Sequence, residues 1–283
     1  GSRLYVPPCR FAQEAPSELK EKVKALHAAI AGGDEQLVVW ELHSARCTDT
    51  KRLLDSSCYK CGPASLSVYA NAKNRPNDTI FALLHKADAS LCDKDGYTAL
   101  HHVIMRAAQQ EGKGRLEHIR LIEQLLGRLG DHDESLHAVD AVDGCSALLI
   151  SIQFGDSAFD ITELLLQRRI GLENACYPCK DPDNKRSHLR GKAADGDTPL
   201  MLAVRMDSEK SVKALLQVGV DVNRFNDEGL TACDIACKNA LPNHLMLLLK
   251  HDSLDVSRGA VERMRQLACD TQDLIKRTLA AMR

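Results

Sequence analysis

The chain has 283 residues, of which 44 % are hydrophobic and 4 % aromatic, and its formal net charge is −2. This charge excludes an overall electrostatic attraction to nucleic acid or anionic lipid, and the apolar content is too high for a mostly disordered chain. No run of about 18 apolar residues and no signal peptide is visible, so we expect no membrane insertion. Gly1-Ser2 is typical of a cloning remnant, which leaves open whether the chain is a fragment of a longer protein.

The chain contains 11 cysteines. An odd number of cysteines in a long chain without a secretory signal favours reduced thiols over a disulfide framework. We expect most of them to be small buried side chains, in an intracellular protein of the cytoplasm or nucleus.

In chain order, an extended segment at 1–18 precedes an array of repeated units at 19–256. A glycine, a Thr or Ser and an apolar helical stretch mark the units, most clearly at 96–103 (Gly-Tyr-Thr-Ala-Leu-His-His-Val) and 196–203 (Gly-Asp-Thr-Pro-Leu-Met-Leu-Ala). Gly229 follows Gly196 after 33 residues, and further copies begin at Gly62 and Gly144. This spacing predicts six units, near 19–51, 60–93, 94–140, 141–174, 193–225 and 226–256.

Each unit is predicted to contain two helices. The Thr or Ser of the motif can cap the first helix, and the glycine two residues earlier supplies a turn conformation. The second helix ends in paired leucines, which we expect to face the neighbouring unit because one unit cannot bury both its faces alone. These pairs are Leu83-Leu84, Leu125-Leu126, Leu164-Leu165, Leu215-Leu216 and Leu247-Leu248.

The motifs resemble those of the ankyrin repeat family, most faithfully at Thr98-Ala99-Leu100-His101 and Thr198-Pro199-Leu200; the first unit, with Leu26-His27-Ala28-Ala29, resembles a terminal repeat. The resemblance implies an all-α fold, a solenoid of helix-turn-helix units with short β-hairpin fingers and a C-terminal capping helix. It also implies that His101 is structural. Asp234 replaces the motif histidine in the last unit.

Several segments depart from the regular pattern. Insertions are predicted near 107–118, where an inner helix would extend and break at Gly112 and Gly114, near 128–138, and at 171–193, where we expect a mobile surface loop. Residues 43–61 are predicted to be a long connection. The segment 257–283 has apolar residues at helical spacing and predicts an amphipathic helix that caps the last repeat, with a docking or oligomerisation helix as the alternative.

The sequence contains no catalytic motif, so we expect no enzyme and no cofactor. Two Cys-x-x-Cys pairs are the candidate metal ligands, namely Cys58 with Cys61 and Cys176 with Cys179, the latter joined by His188. They lie in different units, and a fourth ligand for either is not evident. A zinc-stabilised binding module therefore remains an alternative to incidental thiols.

The resemblance implies that a protein or peptide partner, not nucleic acid, binds a concave groove formed by the fingers and inner helices of a monomeric array. An ankyrin part of a larger enzyme or host-directed effector is the alternative. Tyr97, Phe154, Met206 and Leu230 are apolar at positions that the fold does not need to bury, and acidic finger tips beside basic residues predict a mixed-charge groove. The predicted partner-binding residues are Lys94, Asp95, Tyr97, Met105, Arg106, Asp143, Gln153, Phe154, Asp195, Asp197, Arg205, Met206, Asp227, Glu228, Leu230, Lys238 and Asn239.

Overall fold

The computed structural model describes residues 19–44, 50–56, 65–70, 81–82, 84–130, 133–178, 189, 191–254 and 262–264. Within these ranges the secondary structure is helical, apart from two isolated antiparallel bridges, Cys92 with Thr98 and Cys176 with Asp197. The chain divides at Val142 into an N-terminal and a C-terminal compact unit. The predicted segment 1–18 lies outside the described residues.

The described part of the N-terminal unit includes two helix pairs and several shorter helices. Its described helices are α1 (Lys20–Gly32), α2 (Glu35–Ser44), α3 (Thr50–Asp55), α4 (Ser65–Ala70), α5 (Ala99–Ala108), α6 (Gly112–Leu129) and a 3-10 helix (Glu134–His137). Helix α1 packs against α2, α3 and α4, while α5 packs against α4 and along α6. The order of contacts therefore follows the order of the chain, as in a stack of repeats.

The C-terminal unit is a two-layered stack. Its described helices are α7 (Ala147–Ile152), a 3-10 helix (Gly155–Ala158), α8 (Phe159–Gln167), α9 (Pro199–Arg205), α10 (Glu209–Val218), α11 (Ala232–Lys238) and α12 (Pro242–Leu249). The inner helices α7, α9 and α11 pack in succession, and the outer helices α8, α10 and α12 do the same. Each inner helix also packs on its own outer helix.

The inner helices start where the motif predicts. The hydroxyl of Thr198 accepts the N–H of Met201 at 3.4 Å, and the hydroxyl of Thr231 accepts the N–H of Asp234 at 3.3 Å. Pro199 is the first residue of its helix, where the missing N–H costs nothing. The capping prediction is confirmed at these helices.

The core of the C-terminal unit is formed mainly by its inner helices. All residues of α7, the first six of α9 and the first six of α11 are buried. The outer helices are amphipathic, and each described leucine pair contributes at least one buried member: Leu84, Leu125, Leu126, Leu165, Leu215 and Leu248. Layers of this thickness are filled by small and aliphatic side chains, so few aromatic residues are needed.

Some predicted bounds are wrong. The inner helix α5 is extended as predicted, to 10 residues against 7 in α9, but it ends at Ala108, and Gly112 and Gly114 lie in the second, outer helix rather than at the break. The extra residues lengthen that outer helix, α6, to 18 residues, against 10 in α10. The predicted connection at 43–61 contains helix α3, and the insertion at 128–138 contains the 3-10 helix at Glu134–His137.

The insertion at 171–193 is not simply a surface loop. Cys176 and Leu189 are both 0 % exposed, so its described ends belong to the core. Residues 179–188 and 190 lie outside the described ones. Of the predicted terminal helix at 257–283, the structure describes 262–264, which are helical.

Candidate functional site

The turns that precede the inner helices, here called the fingers, are joined by backbone hydrogen bonds. In the C-terminal unit the carbonyl of Asp143 accepts the N–H of Tyr177 at 2.7 Å, and the carbonyl of Asp195 accepts the N–H of Asp227 at 3.0 Å. In the N-terminal unit the carbonyl of Asp95 accepts the N–H of Ala141 at 2.8 Å. Main-chain hydrogen bonds therefore hold successive fingers in register.

Close approach of the fingers requires glycine. Gly196 has φ +78°, and a Cβ there would lie 2.8 Å from Asp227 Oδ1 and 2.9 Å from Asp227 N. Gly96 has φ +83°, and its Cβ would lie 2.8 Å from Ala141 N. The motif glycine thus supplies both the left-handed turn and the space for the next finger.

A side-chain oxygen closes each regular finger. Asp93 Oδ1 accepts the N–H groups of Asp95 at 2.9 Å and Tyr97 at 3.0 Å. Asn226 Oδ1 accepts the equivalent N–H groups of Glu228 at 3.0 Å and Leu230 at 2.9 Å. The Asp-x-Asp-Gly sequence at 93–96 therefore forms a turn.

His102 supports the finger at 92–98. Its Nε2 lies 3.0 Å from Asp93 Oδ2, and both side chains are buried. Burial opposes the ionisation of Asp93, but hydrogen bonds from His102 and from the backbone outweigh it and lower the pKa of this carboxyl. His101 accepts the N–H of Thr98 at 3.1 Å through Nδ1, which confirms its structural role.

Asp197 is the centre of a buried polar network in the C-terminal unit. Its carboxylate is 0 % exposed and lies 2.6 Å from Arg205 Nε. It also accepts hydrogen bonds from Asn226 Nδ2 at 2.8 Å and from the N–H of Ala194 at 2.7 Å. Arg205 Nη2 lies 3.7 Å from Glu228 at the finger tip. The network ties an inner helix to two fingers. Both carboxylates that face Arg205, those of Asp197 and Glu228, belong to the C-terminal unit itself.

Four predicted partner-binding residues are buried: Tyr97, Asp143, Gln153 and Asp197. The expectation that the fold does not bury Tyr97 is wrong, since its side chain is 6 % exposed. Its ring lies 6.0 Å from that of His101 and 5.7 Å from that of His102, so it packs into the finger. The backbone N–H of Leu189 donates to Asp143 Oδ2 at 3.3 Å, which holds that carboxylate inside.

The other predicted residues reach the surface. In the N-terminal unit Lys94 is exposed, and Asp95, Met105 and Arg106 are half-buried. In the C-terminal unit the half-buried residues are Phe154, Asp195, Arg205, Met206 and Leu230, and the exposed ones are Asp227, Glu228, Lys238 and Asn239.

Equivalent positions form a row at the ends of the inner helices. Phe154, Met206 and Asn239 each follow their capping Ser or Thr by the same number of residues. Gly155 would place a Cβ 3.7 Å from the carbonyl oxygen of Met206, so successive helix ends are in contact. The C-terminal unit therefore presents a surface of fixed backbone with apolar side chains beside acidic finger tips.

Two features of the C-terminal unit, at Leu189 and at Arg263, were not predicted from the sequence. Leu189 is buried although it belongs to the insertion, and nothing in the surrounding sequence distinguishes it. Arg263 Nε lies 2.8 Å from Asp234 Oδ2, and here the replacement of the motif histidine by aspartate was the available signal.

Among the described residues no group of three His, Cys, Asp or Glu side chains is arranged to hold a metal ion. Four of the zinc candidates, Cys58, Cys61, Cys179 and His188, lie outside those residues. Cys176 is buried, and burial and then the charge of Asp197 raise the pKa of its thiol, which disfavours the thiolate that zinc requires. In the part of the chain that the structure describes, no helix has both the length and the apolar character needed to cross a bilayer.

Comparisons with known proteins agree with this architecture. A family model described as ankyrin repeats (3 copies) matches residues 104–226 and 177–259, together more than half of the chain. Rabankyrin-5 of Mus musculus is 33 % identical over 78 residues, which is 28 % of this chain and 7 % of that protein. The crystal structure of the ankyrin repeat domain of Bcl-3, a member of the IkappaB protein family, superposes with a TM-score of 0.61 at 19 % identity and covers 81 % of this chain and 86 % of that one. The chain belongs to the ankyrin repeat family.

Proposed function

We propose that the chain is a non-catalytic interaction module that binds a protein or peptide through the fingers and inner-helix ends of its C-terminal unit. Ankyrin repeats bind other proteins, and membership in the family supports that general role. The exposure of individual side chains on the fingers and inner-helix ends supports the choice of this surface.

The observation that carries the proposal is the half-exposure of Phe154, Met206 and Leu230 on elements whose backbone is fixed. Phe154 and Met206 follow inner helices that are buried throughout most of their length, and Leu230 lies in a finger that Asn226 closes. Binding at such positions does not have to order the main chain, and buried apolar anchors dominate interface energetics.

The charge of this surface indicates the chemistry of the partner. Asp227 and Glu228 are exposed at a finger tip, and the nearby guanidinium of Arg205 is shared between Glu228 and the buried carboxylate of Asp197. The acidic tips are therefore less compensated than the sequence indicates. A segment with apolar side chains flanked by Lys or Arg fits such a surface, because complementary charge accelerates association and fixes register.

Paired variants test the proposal. Phe154→Ser with Met206→Ser removes the apolar part of the surface. Gln167→Ser with Gln217→Ser is the matched control on exposed positions of the outer helices α8 and α10. Each chain, checked for folding by circular dichroism, is used to capture proteins from an extract, and captured proteins are quantified by mass spectrometry.

We expect at least one protein to be retained equally by the wild-type and control chains and reduced by about tenfold or more with the surface variant, since two interface anchors contribute more than about 1.4 kcal/mol. Equal capture of every protein by the surface and control variants would contradict the proposed surface.

A further inference from the structure

Asp234 supplies the same cap in the last repeat that His101 supplies in the third. Asp234 Oδ2 accepts the N–H of Thr231 at 2.8 Å and the hydroxyl of Thr231 at 2.9 Å. His101 makes the equivalent contacts through a ring nitrogen, at 3.1 Å to the Thr98 N–H and 2.8 Å to its hydroxyl. The cap needs only an acceptor, so the negative charge of Asp234 is not required for it.

A fully buried carboxylate needs a counter-charge. The side chain of Asp234 is 0 % exposed, and Arg263 Nε lies 2.8 Å from its Oδ2. The guanidinium of Arg263 also lies over the ring of Phe225, 5.2 Å from its centroid. Ion pairing and cation–π contact therefore act on the same arginine from two sides.

The residue after Arg263 is buried too. Met264 is 1 % exposed, whereas Glu262 is exposed, so the segment lies with one face on the protein. In the described part of the chain, α11 is the last inner helix, and no further inner helix covers it. Its thiols are nevertheless closed to solvent, with Cys233 1 % and Cys237 0 % exposed.

We propose that Asp234 is a binding site for the chain's own Arg263, and that this ion pair fastens the segment at 262–264 over α11 and closes Cys233 and Cys237 to solvent. The replacement of histidine by aspartate converts a neutral helix cap into a cap that also binds an arginine. Removing Arg263 leaves the carboxylate buried without a counter-charge, and opening of the segment would let water solvate it.

The reactivity of the two thiols reports on this contact. The tryptic peptide 225–238 carries both Cys233 and Cys237, so alkylation by N-ethylmaleimide at pH 8 can be followed there by mass spectrometry. Arg263→Gln removes one positive charge from the segment, and Lys250→Gln, at an exposed position after α12, is the control of equal charge. Cys145, buried in another repeat, is the internal reference.

We expect Arg263→Gln to accelerate alkylation of the 225–238 peptide by about tenfold or more, with Cys145 and the Lys250→Gln chain unchanged. Equal rates in the two variants would overturn the proposal. A parallel rise at Cys145 would also overturn it, because the arginine would then stabilise the whole unit rather than the segment.

Asp234→His separates the cap from the ion pair. The introduced imidazole is neutral at pH 8 and can cap α11 as His101 caps α5, but it offers no anion to Arg263. The same acceleration is expected, and combining it with Arg263→Gln should add nothing, since both changes remove one contact. Alkylation of the Asp234→His chain at the wild-type rate would contradict the assignment.

Discussion

His27 shows what happens to the motif histidine when its partner is missing. Thr98 provides the N–H that His101 accepts, but the equivalent residue in the first repeat is Lys24, which lies inside helix α1. The side chain of His27 is 1 % exposed, and neither ring nitrogen has a hydrogen-bond partner. Burial lowers the pKa of His27 from 6.5 to about 4.

The lowered pKa of His27 predicts that the free energy of unfolding decreases in acid. Between pH 6.5 and pH 4 the unfolded chain binds a proton that folded His27 resists, so stability is complete above pH 6.5 and falls as the pH decreases. The wild-type chain should lose roughly 3 kcal/mol of unfolding free energy between pH 7 and pH 4 through this group. His27→Leu should remove that loss in urea titrations.

His43→Leu, at an exposed histidine of α2, is the control and should keep the wild-type pH dependence. If the unfolding free energies of the wild-type and His27→Leu chains fell in parallel as the pH decreases, His27 would not be the cause of the acid sensitivity.

Arg205 and Lys238 occupy equivalent positions at the ends of α9 and α11 but differ in their surroundings. Arg205 faces the buried carboxylate of Asp197, whereas Lys238 is exposed. Arg205→Ala should lower the unfolding free energy by about 3 kcal/mol, because it leaves a buried charge unpaired. Lys238→Ala should change it by less than about 0.5 kcal/mol. Similar losses in the two variants, measured by urea unfolding, would contradict the structural role of Arg205.

At the scale of secondary structure elements, the helix starts and fingers were predictable because they depend on local chemistry. The capping Thr or Ser lies three residues before the N–H group that it accepts, so the local sequence is enough to recognise it. The glycine that permits a left-handed turn lies at a fixed distance before this cap. Helix lengths were harder to predict. The residues at 107–118 lengthen both α5, which ends at Ala108, and α6, which tolerates Gly112 and Gly114 in its first turn because tertiary packing supports it.

Gly196 and Gly229 allow the two roles of a finger glycine, a positive φ and the absence of a Cβ, to be tested separately. Both have positive φ, +78° and +72°, but a Cβ on Gly229 would meet nothing within 4 Å. Gly229→Ala should therefore cost only the conformational strain, about 1 kcal/mol. Gly196→Ala should cost about 2 kcal/mol more, because its Cβ would collide with the backbone of the next finger. If Gly196→Ala and Gly229→Ala lowered the stability equally in thermal melts, the close approach of the next finger to Gly196 would have no energetic effect.

At the scale of the whole molecule, the repeat period gave the architecture, but it did not separate buried from exposed finger residues. Tyr97 and Asp197 occupy the same motif position, and both are buried for different reasons: one packs on two histidines and the other binds Arg205. Leu230 occupies that position in the last finger and stays half-exposed. Burial at this position depends on which side chains pack against each finger in three dimensions, and the motif position alone does not reveal it.

The acidic finger tip should control the rate of partner binding. Neutralising it with Asp227→Asn and Glu228→Gln should lower the association rate several-fold at low salt and flatten its dependence on ionic strength, while the dissociation rate changes less. Surface plasmon resonance with a protein that the chain captures measures both rates. An unchanged salt dependence would contradict a role for these carboxylates in recognition.

The proposed binding surface is tested most directly by hydrogen–deuterium exchange of the chain alone and in complex with a captured protein. We expect slower exchange at the helix ends 153–155 and 205–207 and in the finger at 226–230, with no change in the outer helices α8 and α10. Protection confined to those outer helices, with the fingers unchanged, would contradict it.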